Sequence, residues 1–368
     1  NKMNIKTIAI LLPCWLILLC LSGCGHKPYT RQYKIALVHS YEEGYPDAER
    51  TRRLLCEALA KRGLSCDFRE YFLNCDGLLS DKEEEFCSDF IDDFTRWGAH
   101  LVAVLDDQAT YSLMACGNPL LHDLPVVFSG VNYPNRQLLE RYPNVTGYAD
   151  APDYLNTVRM LERIMGKSRV CVINRNNVLD RFIWEDLMTQ FDGQGYEIYC
   201  GRVGMHVSTH RKLGDDLPSL VPGVNWENER FDTTAIVRLN SDSLSLTQVA
   251  WTGYGSRTLC LFTHRNFITV HSASFFQNPC FATVNKGFGL SDYALGGYFA
   301  TIETQLDDMG QGIAERLRGR MPAEQVRYCA KRYVVNWHVL QRYGIPLSCI
   351  PKEYTIMYMP FTERYRYT

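Results

Sequence analysis

From Tyr33 onward the chain switches repeatedly between two hydrophobic periods, and this alternation limits the fold more than any other feature. "YKIALVHS" is a short apolar run. "DAERTRRLLCEALAKRG" then sets Leu54, Leu55, Ala58 and Leu59 in a helical stripe, with Asp47 placed to cap it and Gly63 to end it. "SCDFREYFL" alternates like a strand. "SDKEEEFCSDFIDDFTRWG" returns to helical spacing, with Ser80 at its start, an acidic first turn, and Phe86, Phe90, Ile91 and Phe94 on one face. "AHLVAVLDD", "LPVVFSGVN" and "NVTGYAD" supply three more strands. Strands this apolar must be covered on both faces, which parallel sheets flanked by helices achieve. The expected class is α/β.

The same grammar restarts at "SRVCVINRNN", followed by a helix in "VLDRFIWEDLMTQFDGQG" and strands in "YEIYCGRV", "TTAIVRLN" and "SRTLCLFTH". A chain of 368 residues exceeds what one core usually holds. Two doubly wound parallel-sheet lobes joined by a hinge are therefore expected, the first over 33–150 and the second over 151–284. Part of 285–320 should complete the first lobe and part of 321–346 the second. "YALGGYFATIETQLDDMGQGIAERLRGR" reads as a late helical region with a glycine-broken entry. "AKRYVVNWHVLQRYGI" reads as a strand and short helix, and 347–368 as an aromatic tail.

Ahead of the lobes, Lys2 and Lys6 precede an apolar run from Ile8 to Leu21 that is shorter than the roughly 20 residues a membrane-spanning helix needs. That layout suits a secretory signal over 1–23. Leu21-Ser22-Gly23-Cys24 looks like a bacterial lipobox, making Cys24 the expected lipid attachment point and 24–32 a tether. The alternative is a buried N-terminal helix ending in Gly-Cys-Gly. Lys and Arg number 39 against 41 Asp and Glu, and losing Lys2 and Lys6 makes the balance more acidic. With no basic block, nucleic acid is not an expected partner.

Fourteen cysteines are present. None forms C-x-x-C and none has zinc-ligand spacing with histidine, so no metal or cofactor is expected. Cys171 and Cys260 fall inside apolar strands and read as small buried hydrophobes. Cys66 and Cys75 flank a strand and are a possible pair. Asn144-Val145-Thr146 matches a glycosylation acceptor but is read as structural.

Six segments in order, "KIALVHSYEEGYP", "LVAVLDDQA", "LPVVFSGVN", "NVTGY", "YALGGYFATIETQLDDMGQGIAERLRGRMP" and "VVNWHVLQRYGI", resemble the ABC-transporter substrate-binding-like family of the type 1 periplasmic-binding-protein fold. The resemblance runs from Tyr33 to Ile345. That family includes lipoproteins and sensor domains of histidine kinases. The stretch "LVPGVNWENERFDTT", longer than a plain connection, departs from it, as do the many cysteines.

Open parallel sheets bind ligands beyond the carboxyl ends of their strands. The candidate ligand contacts are accordingly Ser40, Tyr41, Asp106, Asp107, Ser129, Gly130, Asn132, Asn174, Arg175, Asn240 and His264. An aspartate there could meet a ligand amine and Arg175 a carboxylate, with Tyr41 as an aromatic platform. Each has a plainer reading: Ser129-Gly130 as a tight turn, an aspartate as a helix cap, Asn174 as a turn residue, His264 as a surface histidine. No G-x-G-x-x-G follows the first strand, and P-loop, H-E-x-x-H and G-x-S-x-G motifs are absent. The expectation is a lipid-anchored extracytoplasmic solute-binding protein, not an enzyme, holding an amino-acid-like or sugar-like ligand between its lobes for an ABC permease. The alternative is a sensing subunit signalling through a separate membrane kinase or receptor; a surface enzyme ranks third.

Overall fold

A computed structural model of the chain describes residues 32–45, 47–75, 80–175, 178–196, 198–203, 257–262, 280–284 and 294–360. Strand β1 (Gln32–His39) leads through helix α1 (Ala48–Lys61) to β2 (Ser65–Phe72), and α2 (Ser80–Trp97) leads to β3 (Leu101–Leu105). Next come α3 (Asp106–Ala115), β4 (Val126–Val131), α4 (Arg136–Glu140) and β5 (Val145–Ala149). The chain then builds α5 (Tyr154–Met165), β6 (Ser168–Arg175), α6 (Val178–Phe191), β7 (Ile198–Val203), β8 (Arg257–Phe262), β9 (Cys280–Phe281) and β10 (Ala294–Phe299). It finishes with α7 (Ile302–Leu317), β11 (Val326–Tyr328), β12 (Arg332–Asn336), α8 (Trp337–Arg342) and β13 (Thr355–Met357).

Two sheets result. The first has the order β2-β1-β3-β4-β5-β11 and is parallel throughout. The second, β7-β6-β8-β9-β10-β12-β13, repeats that plan through β10 and adds β12 antiparallel to β10. The protein is thus α/β with the two-sheet architecture that the alternating periods predict.

Strand side chains alternate between two helical layers, as a period of two requires. Ile35, Leu37, Leu101, Ala103 and Val127 pack with Leu55 and Leu59 of α1 and Leu306, Met309 and Ile313 of α7. Their neighbours Ala36, Val38, Val102, Val104 and Phe128 face the other way, toward Ile91 and Phe94 of α2. A second core gathers Tyr154, Val158 and Leu161 of α5 with Val170, Leu261, Leu295 and Val335 of the second sheet.

Several expectations need revision. "ALGGYF" is a strand, β10, and not a helix entry. A Cβ on Gly296 would run into the carbonyl of Val334, and one on Gly297 into that of Ala282. These glycines therefore admit close backbone neighbours, a use of glycine in strands that composition cannot distinguish from a broken helix. β10 lies in the second sheet, and only α7 of that region joins the first. β11 lies in the first sheet, although it follows α7, and β13 in the aromatic tail extends the second sheet. Asp47 precedes α1 without a side-chain capping bond.

Cys66 lies near the start of β2 and Cys75 three residues beyond its end, so most of the strand, roughly 20 Å by strand rise, runs between them. That is far beyond the span of a disulfide. Burial pushes the Cys66 thiol up to about 12, the behaviour of an inert, packed sulfur. Asn144 donates through Nδ2 to the carbonyls of Leu121 and Leu124, at 2.7 and 2.8 Å, so its amide works within the fold.

Candidate functional site

The order 2-1-3-4-5 places a topological switch point between β1 and β3, where the connections leave in opposite directions and open a crevice. A cavity of about 40 Å³ opens there, beyond the carboxyl ends of β1, β3 and β4. The loop after β1 supplies Tyr41, Glu42 and Tyr45, and the start of α3 supplies Asp106. Ser129 and Gly130 border it from β4, and Ile302 and Gln305 from α7. The rings of Tyr41 and Tyr45 stack with centroids 4.7 Å apart.

The predicted residues separate into two roles. Ser40 is wholly buried; its hydroxyl donates to the Leu105 carbonyl at 2.7 Å and accepts the Ala109 N–H at 2.9 Å. It pins β1 to the start of α3. Asp107 is also buried and accepts the N–H groups of Asn132 (3.0 Å) and Tyr133 (3.2 Å), fixing the loop after β4. Ser129 donates to the Gln305 carbonyl at 3.3 Å, joining β4 to α7. These three hydroxyl and carboxylate groups hold the frame.

Asp106 differs. It opens α3 with φ at +71°, a conformation that costs a non-glycine residue free energy, and it is only partly buried. Gly130, at φ +76°, forms a bulge in β4 rather than a turn after it. A Cβ there would lie 2.8 Å from Asp106 Oδ1, so glycine leaves that carboxylate its place. Bulges beside functional sites re-aim neighbouring groups in this way. Neither aspartate sits on a strand as expected; both occupy the first turn of α3.

Asn132 is partly exposed and borders the same loop, outside the cavity wall. Asn174 and Arg175 end β6 in the second sheet. Asn240, His264 and Cys24 lie outside the described residues.

Sequence reasoning missed the residues that join the lobes. The chain passes between the sheets three times, after β5, after β10 and after β11. Gln305 Nε2 donates to Asp150 Oδ2 at 2.8 Å and to the Ala300 carbonyl at 3.0 Å, tying the first crossing to the second. Lys331, at the third, lies 4.0 Å from Asp153. Burial pushes the Asp150 carboxyl up to about 7 against the pull of Lys331, and Asp107 and Asp106 add to the rise. Tyr133 reaches across as well. Its hydroxyl lies 2.8 Å from that of Tyr154 on α5, and its ring centroid is 6.0 Å from that of Phe182 on α6. Tyr111 accepts the Asn135 N–H at 2.9 Å and donates to the Tyr133 carbonyl, which steadies the loop.

Among the described residues, no group of His, Cys, Asp and Glu is placed to hold a metal ion, and no helix is long and apolar enough to cross a membrane.

The sequence matches no family model and no curated protein. Its fold is shared with solved structures at low identity. One is an ABC domain in complex with L-Trp from Streptococcus pneumoniae, with TM-score 0.57 and 15% identity, covering 89% of this chain and 99% of that one. A ligand-free, open substrate-binding protein with adhesive properties from Clostridium difficile gives TM-score 0.58 and 14% identity, over 89% of this chain and 100% of its own. A conserved domain protein from Vibrio cholerae gives 0.59 and 14%, over 89% and 99%. At these identities the likeness establishes the fold: two α/β lobes of the type 1 periplasmic-binding-protein kind.

Proposed function

We propose that the chain is an extracytoplasmic solute-binding protein, anchored through lipid on Cys24, that captures a small polar ligand between its lobes for an ABC transporter. The observation that carries this reading is the cavity at the switch point of the first sheet, beside the crossings on which one lobe turns against the other. A space of about 40 Å³ is small for a solute. Ligand sites for drug-sized molecules run to several hundred Å³. A solute seated there therefore needs the second lobe to complete its enclosure, which is how a two-lobed binder works. The structures in complex with L-Trp and in the open, ligand-free state, though distant, support this choice over others open to the fold.

Binding, and not catalysis, is the reading favoured by the hydrogen bonds of Ser40. Its hydroxyl is committed on both sides to backbone, and that of Ser129, the other serine lining the cavity, donates to the Gln305 carbonyl. A thermal-shift screen of the protein against amino acids, amines, nucleosides and sugars tests capture directly. A ligand at a hundred times its Kd should add about 2.7 kcal/mol of stability. Failure of every compound in a broad library to raise the melting temperature would overturn the proposal. For the anchor, Cys24→Ser should abolish lipid labelling in cells; undiminished labelling contradicts it.

A further inference from the structure

The three crossings between the lobes meet around one buried carboxylate. Asp150 stands directly after β5, where the first crossing begins, and only 1% of its surface is exposed. Its N–H donates to the Val131 carbonyl of β4 at 2.8 Å, which holds it to the first lobe. Its Oδ2 accepts from Gln305 Nε2 on α7, and Gln305 also grips the Ala300 carbonyl at the second crossing. Cys329, where the third crossing begins, donates its N–H to the Ala149 carbonyl at 3.0 Å. Asp150 Oδ1 has no hydrogen-bond partner among the described residues. Charged and titratable groups face this carboxyl from each element around it. Burial raises it to about 7 against the pull of Lys331 on the third crossing and of the Ala300 N–H, and Asp107 and Asp106 of α3 add to the rise. Lys331 is shared, because Asp153 lies 4.0 Å from it and Asp186 on α6 of the second lobe also draws on it. Cys329 is kept a neutral thiol by burial, with Asp308 of α7 and Asp150 itself adding to that effect.

We propose that Asp150 is a proton-operated catch on the lobe hinge: protonated, it keeps the crossings packed as they are in this structure, and ionised, it drives them apart to admit water. A buried carboxylate with an unbonded oxygen is costly once it carries charge. Its walls are the crossings themselves, so hydrating it means moving the segments that join the lobes. The direction follows from the sign of the shift. Where water reaches Asp150, its carboxyl returns to the ordinary value of about 4; in the packed arrangement it stands at about 7. The packed arrangement is therefore fully favoured below about pH 4 and loses that advantage as pH rises through about 7. The catch needs no solute, so it stands apart from the capture reading and makes the movement of the lobes answer to pH.

Small-angle scattering of the ligand-free protein across a pH series from mildly acidic to mildly alkaline reads the catch, with circular dichroism at each pH to separate lobe movement from unfolding. The wild-type radius of gyration should rise with a midpoint at about pH 7. Asp150→Asn keeps an oxygen for Gln305 Nε2 and cannot ionise, so it should hold the low-pH radius throughout. Lys331→Gln removes the cation that pulls the carboxyl down, so its midpoint should move to higher pH. That second variant keeps the test intact if Asp150→Asn fails to fold. A wild-type radius that stays constant or falls, the same rise in folded Asp150→Asn, or a Lys331→Gln midpoint that does not move upward overturns the catch. Each of those results leaves solute capture standing, since the thermal-shift screen tests it separately.

Discussion

Ser40 follows β1, and Asp106 and Asp107 follow its neighbour β3, yet their environments assign them different work. The buried Ser40 hydroxyl serves one donor and one acceptor of the backbone. Ser40→Ala leaves the Ala109 N–H and the Leu105 carbonyl without it, and a denaturant titration should show a loss of about 1–3 kcal/mol. Gly130→Ala tests the bulge. The left-handed conformation costs an alanine about 1–2 kcal/mol, and its Cβ would press on Asp106 Oδ1. The expected result is that loss in stability together with weaker ligand binding. Loss of stability alone, with binding intact, would show that the carboxylate position is not what the glycine protects.

At the scale of elements, the crossings concentrate the titratable groups. Asp150 closes β5 and meets α7 through Gln305, with Lys331, Asp107 and Asp106 acting on it. Its carboxyl is raised from 3.8 to about 7 in the folded protein. The folded state therefore binds the proton that the unfolded chain releases near pH 4. The sign follows: this group's contribution is fully present below about pH 4 and is lost as pH rises to about 7, for a total of roughly 4 kcal/mol. Asp150→Asn, which keeps an oxygen to accept from Gln305, should flatten the stability profile across that window. An unchanged slope between pH 4 and 7 would place the titration elsewhere.

Across the whole molecule, Tyr133 is the described side chain from the β4 loop that touches both α5 and α6 of the second lobe. Tyr133→Ala removes a ring and a hydroxyl from the contact between lobes and should raise the ligand-free radius of gyration measured by small-angle scattering. Tyr133→Phe keeps the ring against Phe182 and should fall between the two. Identical scattering profiles for all three proteins would mean that the crossings alone set the lobe arrangement. Addition of a binding solute should contract the wild type, because enclosing it requires both lobes.

The sequence alone determined the class of fold and the end of the sheet to inspect. Apolar runs at period two between stripes at period 3.6 admit few arrangements other than parallel sheets covered by helices. Strand ends then follow from where each run stops. Local pattern could not determine which lobe the later segments join: β10, β11 and β13 find their sheets through pairings with strands far away in the chain. It could not separate Asp106 from Asp107 either, since adjacent carboxylates look alike until one is buried under the N–H groups of the next loop. Asp150 ends the predicted strand "NVTGYAD", yet its importance comes from Gln305, brought beside it over 155 positions. Burial, hydrogen-bond partners and the sign of the local field exist only once distant segments pack together, and those quantities decided what each strand end can do.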